Sequence, residues 1–181
     1  MTAALVLAAG EGKRFGGPKQ LAEVDGRPLI EHALTAVRGL DRVLVVLGAR
    51  ADEVRAGADL SGVEVIVCAG WAEGMAASLR DGLGALRGVD EVVVTLADQP
   101  FITAAVVGRV LAASGPAVRA VYDGAPGHPV VLRRPALDRA GELHGDSGFR
   151  DLLDDVVEVE CGGLADPADI DTRDDLEVVR R

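Results

Sequence analysis

The chain has 181 residues, 49% apolar and 27% charged, with a formal net charge of −10 and a pI near 4.7. That size suits one domain with a sizeable core, and the acidic balance excludes a general affinity for DNA, RNA or an anionic membrane. Aromatic residues are only 3%, too few for the stacking platforms that single-stranded nucleic acid requires.

A short apolar strand, Ala3 to Ala9, opens the chain without a basic leader, and no run approaches about 18 apolar residues, so no membrane span is expected. Glycines and cations follow it in "GEGKRFGGPKQ". Ile30, Ala33, Leu34 and Val37 repeat at helical spacing, with Pro28 suited to a first turn. Strands are expected at Arg42 to Leu47 and Val63 to Val67. A helix then carries Met75, Leu79, Leu83 and Leu86, with Met75 and Leu79 in the core. A strand from Glu91 to Leu96 precedes a helix built on Val106, Val107, Val110 and Leu111, with Thr103 as N-cap. The next strand spans Ala117 to Tyr122.

"VLVVL" and "VVVTL" are apolar on both faces, as strands of a covered parallel sheet are. After Tyr122 the pattern changes. "DGAPGHPVVLRRP" reads as a loop, a short strand and a turn, and "GDSGFRDLL" opens a helix. "ADIDTRDDLEVVRR" gives a short strand, then Thr172 and Asp175 at capping-box spacing. The expected fold is α/β and doubly wound, one domain over residues 1–181. Cys68 and Cys161 lie in strand-like surroundings without CxxC spacing, which predicts buried thiols and a reducing cytoplasm.

The first loop fails two familiar phosphate-binding patterns. A P-loop needs Gly-Lys-Ser/Thr, but here Gly17 is followed by Pro18 and Lys19 by Gln20. A dinucleotide fingerprint needs G-x-G-x-x-G and an acid after the second strand, whereas glycines 10, 12 and 16 are spaced differently and "VVLGAR" has no acid. The chemistry still favours an anion. Gly10 and Gly12 let main-chain N–H groups approach a ligand, and Arg14 and Lys19 add fixed charge. Lys19 has no core-facing partner in the pattern and is expected to be dispensable for folding. Asp98 ends "VVVTLAD", where open α/β sheets bind ligands, and an acid there needs a cation. Asp171, ending "DID", is a candidate second carboxylate.

"LAAGEGKRFGGPKQL", "GMAASLRDGL", "LADQP", "GHPVVL", "GDSGFRDLL" and "DIDTRDDL", in this order, resemble the nucleotidyltransferases related to the molybdenum cofactor guanylyl- and cytidylyltransferases. The resemblance spans nearly the whole chain. It implies a Rossmann-like three-layer sandwich of the nucleotide-diphospho-sugar transferase type, with a mostly parallel sheet. The implied activity is transfer of a nucleotidyl group from a nucleoside triphosphate, with magnesium. Leu7, Ala8, Ala9, Gly10, Gly12, Arg14 and Lys19 would then bind nucleotide, and Gly74 and Ser78 would face base and ribose. Arg14, Lys19 and Asp98 would be catalytic, with Asp98 and Asp171 on magnesium.

"GHP" and "GDSGFR" would put His128, Asp146 and Arg150 on the acceptor side; His32 and His144 carry no comparable signal, and Trp71 suits a half-buried structural role or the pocket mouth. Lys13, Arg14 and Lys19 against Glu11 leave the loop an excess of two positive charges, too little for a triphosphate, so a metal is required. Ala9 matches the cytidylyl pattern L-A-A-G rather than L-A-G-G, which favours CTP. The expected acceptor is the molybdopterin cofactor, with a molybdoenzyme or its chaperone as a protein partner. A sugar phosphate is the alternative acceptor, and a non-catalytic cofactor-binding chaperone is the alternative of another class.

Overall fold

The computed structural model describes residues 1–145 and 155–180. One seven-stranded sheet runs β5-β4-β1-β6-β8-β7-β9. Its strands are β1 (Thr2–Ala8), β4 (Arg42–Leu47), β5 (Glu64–Val67), β6 (Glu91–Leu96), β7 (Ala117–Tyr122), β8 (Ala125–Arg133) and β9 (Val156–Glu160), and β2 (Glu23–Val24) and β3 (Arg27–Pro28) form a separate ribbon. Four pairings in the large sheet are parallel, while β8 runs antiparallel to both β6 and β7. The sheet is therefore mostly parallel, as expected.

Alternation along β1 divides the core. Ala4, Val6 and Ala8 pack with α1 (Leu29–Val37), α2 (Ala51–Gly57) and α4 (Ala104–Ala112). Ala3, Leu5, Leu7 and Ala9 face the other way, against α3 (Met75–Ala85) and the 3-10 turn Ala136–Glu142. With both faces covered, the central strands are continuously apolar. Gly82 lets α3 press onto the sheet, since a Cβ there would stand 2.4 Å from the Leu5 side chain.

Several expectations shift. β1 begins one residue earlier than read, and β8 is nine residues long rather than a short strand. β9 is an additional strand: "VVEVE" carries two glutamates in five residues, but it lies at the sheet edge, where polar side chains reach solvent. The "DID" segment is irregular rather than a strand, held by the Ile170 N–H donating to the Asp98 carbonyl at 2.9 Å. Met75 is 41% exposed rather than core, because the first position of α3 stands at a cavity rim, while Leu79 is fully buried.

Thr103 caps α4, and Thr172 and Asp175 form the expected capping box of α5 (Arg173–Val179). Cys68 and Cys161 are buried free thiols. The helix expected in "GDSGFRDLL", with Asp146 and Arg150, lies outside the described residues. Among the described residues, no helix is long and apolar enough to cross a membrane.

Candidate functional site

A cavity of about 700 Å³ opens at the carboxyl ends of β1 and β6, beneath the start of α3. Parallel strands of an open sheet present ligand crevices at this end. From β1 and the loop after it, Leu7, Ala8, Ala9, Gly10, Gly12 and Arg14 line it. Lys19, Gly74 and Ser78 join them, as do Asp98 and Asp171. His128 is not among the lining residues.

The loop is built by internal bonds. The Gly12 carbonyl accepts from the N–H groups of Gly16 at 2.9 Å and Gly17 at 3.3 Å, closing a tight turn. Gly12 has φ of +72°, and a Cβ there would lie 2.0 Å from the Gly17 carbonyl oxygen. Phe15 anchors the turn by entering a small core with Val24, Leu29, Ile170 and Leu176. Beyond the turn, Lys19–Leu21 is a 3-10 turn in which neighbouring side chains divide the work. The buried Gln20 amide donates to the Ala8 carbonyl at 2.7 Å and the Gly10 carbonyl at 3.0 Å, fixing the end of β1.

Gly12→Ala is expected to open this turn. The left-handed backbone costs an L residue about 1–2 kcal/mol, and the overlap with Gly17 forces the loop to rearrange. Nucleotide affinity should fall at least about tenfold, the equivalent of ~1.4 kcal/mol, in a protein that still unfolds cooperatively. Calorimetric titration beside a thermal melt checks both.

Lys19 turns toward the acids. Its ammonium donates to Asp98 at 2.5 Å and to Asp171 at 2.7 Å, and the Arg14 guanidinium donates to the other Asp171 oxygen at 2.8 Å. The Lys19 side chain is only 15% exposed. Burial alone would lower its pKa, but the charge of Asp98 and the hydrogen bonds to both acids outweigh burial, and the net shift is upward. The same Lys19 bond, opposed by burial and aided by Arg14, holds the Asp171 carboxyl below its ordinary value.

Three residues at or near this cluster, Asp169, Gln20 and Gln99, carry no prior assignment. Asp169 lines the cavity, and burial, with the charge of Asp98, raises its pKa although it accepts from the Gln99 amide at 2.8 Å. The signal for Asp169 lay in "DID": Ile170 is fully buried in the Phe15 core, so the acids on either side share the opposite, cavity-lining side. Gln20 and Gln99 had no such signal, because an amide in sequence does not declare its partners. The backbone of Asp171 is fixed as well, its N–H donating to the Asp175 capping carboxylate at 3.0 Å.

His128 sits on β8, its carbonyl accepting from the Tyr122 hydroxyl at 2.7 Å. Burial lowers its imidazole to about 4 against the opposing charge of Asp98, so it is neutral at pH 7. Trp71 both lines the cavity and is half-buried.

The donor set suits a hard divalent cation. Asp98 Oδ1 is buried and accepts no hydrogen bond among the described residues, and Asp171 adds a second carboxylate. No three His, Cys, Asp or Glu side chains among the described residues form a closed metal cage. Two carboxylates completed by substrate oxygens are the pattern that magnesium takes.

Comparison with known proteins places the chain. Over 93% of its length it is 35% identical to nicotine blue oxidoreductase of Paenarthrobacter nicotinovorans, covering 91% of that protein. It is 24% identical to the molybdenum cofactor cytidylyltransferase of Escherichia coli K12, over 95% of this chain and 92% of the other. Rv0371c of Mycobacterium tuberculosis H37Rv superposes with a TM-score of 0.89 at 32% identity, covering 98% of this chain and 96% of that one. A structure of Rv0371c with manganese superposes with a TM-score of 0.83, at 29% identity over 98% and 97% of the two chains. The fold is that of nucleotide-diphospho-sugar transferases. The MobA-like NTP transferase domain matches residues 4–160, and the chain belongs to that family of nucleotidyltransferases.

Proposed function

We propose that the protein transfers a nucleoside monophosphate, CMP from CTP, to the phosphate of a molybdopterin-type acceptor, releasing pyrophosphate with magnesium as cofactor. The observation that carries this reading is Lys19 held between Asp98 and Asp171 beside a glycine turn, at the cavity formed by the sheet's ligand-binding end. An ammonium and two hard acids at one point suit a polyphosphate with its cation, and hydride transfer requires neither.

The acceptor phosphate is already a nucleophile at neutral pH, so no general base is needed. Catalysis is then positioning and charge neutralisation around an in-line displacement at the α-phosphorus. Arg14, Lys19 and loop N–H groups hold the β- and γ-phosphates. Asp98 and Asp171 would hold the magnesium ion, which when bound would neutralise charge on the phosphate oxygens. Gln20 keeps Ala8 and Gly10 in place at the base end, and Gly74 and Ser78 face base and ribose. Neutral His128, with Asp146 and Arg150, is assigned to the acceptor.

Base choice follows from the corner at Ala9. The Ala8, Ala9 and Gly10 carbonyls already accept from Gln20 and from the Ala49 N–H. Second lone pairs on these carbonyls therefore remain to read a base edge. The Ala9 methyl packs at the end of β4, 2.8 Å from where a Cβ of Gly48 would stand, and restricts the backbone there. That stiff corner suits a pyrimidine, and the cytidylyl relative is consistent with it. CTP is expected to react roughly 10- to 200-fold faster than GTP, the span of a steric or single-bond difference. Ala9→Gly should relax the preference only in part, since the Gly74 to Ser78 segment faces the same base. Transfer rates with CTP, GTP and ATP on one acceptor measure this, and a tenfold GTP preference would end the cytidylyl assignment.

Pyrophosphate release on mixing CTP, magnesium and molybdenum cofactor tests the whole reading. No release with that cofactor but release with a sugar phosphate would reassign the acceptor; no release with any acceptor favours a carrier. A redox reading is the competitor, supported by the relative named as an oxidoreductase. It predicts oxidation of a reduced nicotinamide or flavin nucleotide without pyrophosphate, which absorbance reports directly.

A further inference from the structure

The far end of α3 closes a second cavity, of about 510 Å³, which shares no lining residue with the first. Its floor includes Leu83, Leu86, Val89 and Val92, none more than 6% exposed. Three arginines, Arg80, Arg87 and Arg134, are among its lining residues, with a single acidic residue, Asp138. Arg134 is paired with Asp138. Arg80 donates to the Leu143 carbonyl at 3.1 Å and meets Glu73 only at 3.8 Å. Arg87 is exposed and makes no ion pair among the described residues.

On a chain of net charge −10 this hollow is a local reversal of sign. One cation past the last turn of α3 is explained by the helix dipole. That accounts for Arg87 alone, and neither for the other two arginines nor for the space. The walls are open too, since a Cβ at Gly84, Gly88 or Gly141 meets no atom within 4 Å.

We propose that this cavity binds a small phosphate monoester with an apolar body. The dianionic head pairs with Arg87, which makes no ion pair among the described residues, and with the N–H groups of Arg80 that its bond to Leu143 leaves unused, by the forked bonds that arginine makes to phosphate. The body lies on the leucine and valine floor, where burial of apolar surface adds to the pairing. The site stands independently of the nucleotide reading.

Phenyl phosphate titrated into the full chain, followed by backbone amide NMR shifts, tests the site. Saturable shifts are expected at residues 83–89 and 137–141. Inorganic phosphate should bind there at least fivefold more weakly, because it lacks the apolar body. Arg87→Glu, at an exposed position, should weaken phenyl phosphate at least fivefold. Gly84→Leu should abolish binding; leucine favours the helix and fills the hollow, so the fold is retained. Shifts confined to residues 10–20, undiminished binding in Gly84→Leu, or equal affinity for inorganic phosphate would each overturn the proposal.

Discussion

Lys19→Ala is expected to slow nucleotidyl transfer severely while raising the affinity of the nucleotide-free protein for a divalent cation. Lys19 stands between the two carboxylates that a metal would use, so ammonium and metal compete for the same oxygens. Removing it leaves Asp98 without its cation and Asp171 with Arg14 alone, an arrangement that favours any added cation. The rate should nonetheless fall roughly 10²- to 10³-fold, as when one preorganised donor is deleted from a charged transition state.

Stability will also respond, contrary to the expectation drawn from sequence. With 15% of its side chain exposed and two acids bonded, Lys19 is not a dispensable surface cation. Its loss should cost about 1–3 kcal/mol, below the 3–5 kcal/mol of a fully buried broken pair because solvent screens the site. Magnesium should restore part of that by binding the native state. Manganese titration by electron paramagnetic resonance, with denaturant unfolding with and without metal, reads all three effects. Near-normal turnover would remove the triphosphate assignment, and unchanged manganese affinity would remove the competition.

Asp98→Asn should eliminate metal-dependent nucleotide binding and lower turnover by a comparable factor, with the fold intact. Asparagine keeps the shape of the acid but offers one neutral oxygen to a hard cation, which prefers carboxylate. Lys19 keeps its bond to Asp171, and removal of one charge from an acid-rich cluster offsets the lost pair, so stability should move by no more than about 1 kcal/mol. Magnesium titrations of nucleotide affinity in Asp98→Asn and Asp171→Asn separate the two roles. Normal binding and turnover in the first, with loss in the second, would show the carboxylate roles to be wrong.

Much of the sheet was legible because "VLVVL" and "VVVTL" announce covered strands whatever surrounds them. β9 was not, since "VVEVE" becomes a strand only by pairing with β7, a partner that sequence does not display. The same distinction runs through the cavity. Gly12 declared itself through local backbone chemistry. The bonds of Lys19 span 79 and 152 positions, and nothing local tells a lysine that will meet phosphate from one that first meets acids. "DID" misled in the opposite direction. Alternation implied a strand, but one Ile170 contact to the Asp98 carbonyl gives the same alternation without a ladder.

The small core around Phe15 makes the phosphate turn and the second carboxylate one mechanical part. Phe15 lies in the turn and Ile170 beside Asp171, and both rest on Leu176 of α5. A rocking of the turn to admit or release ligand must therefore carry Asp171 with it. Grip on the polyphosphate and grip on the cation would loosen together, as one latch. The stiffness of that latch is set by aliphatic packing that touches neither ligand. Temperature adaptation of such a protein would then be written at Leu176 and Val24, by adding or trimming methyl groups, with every charged residue of the cavity unchanged.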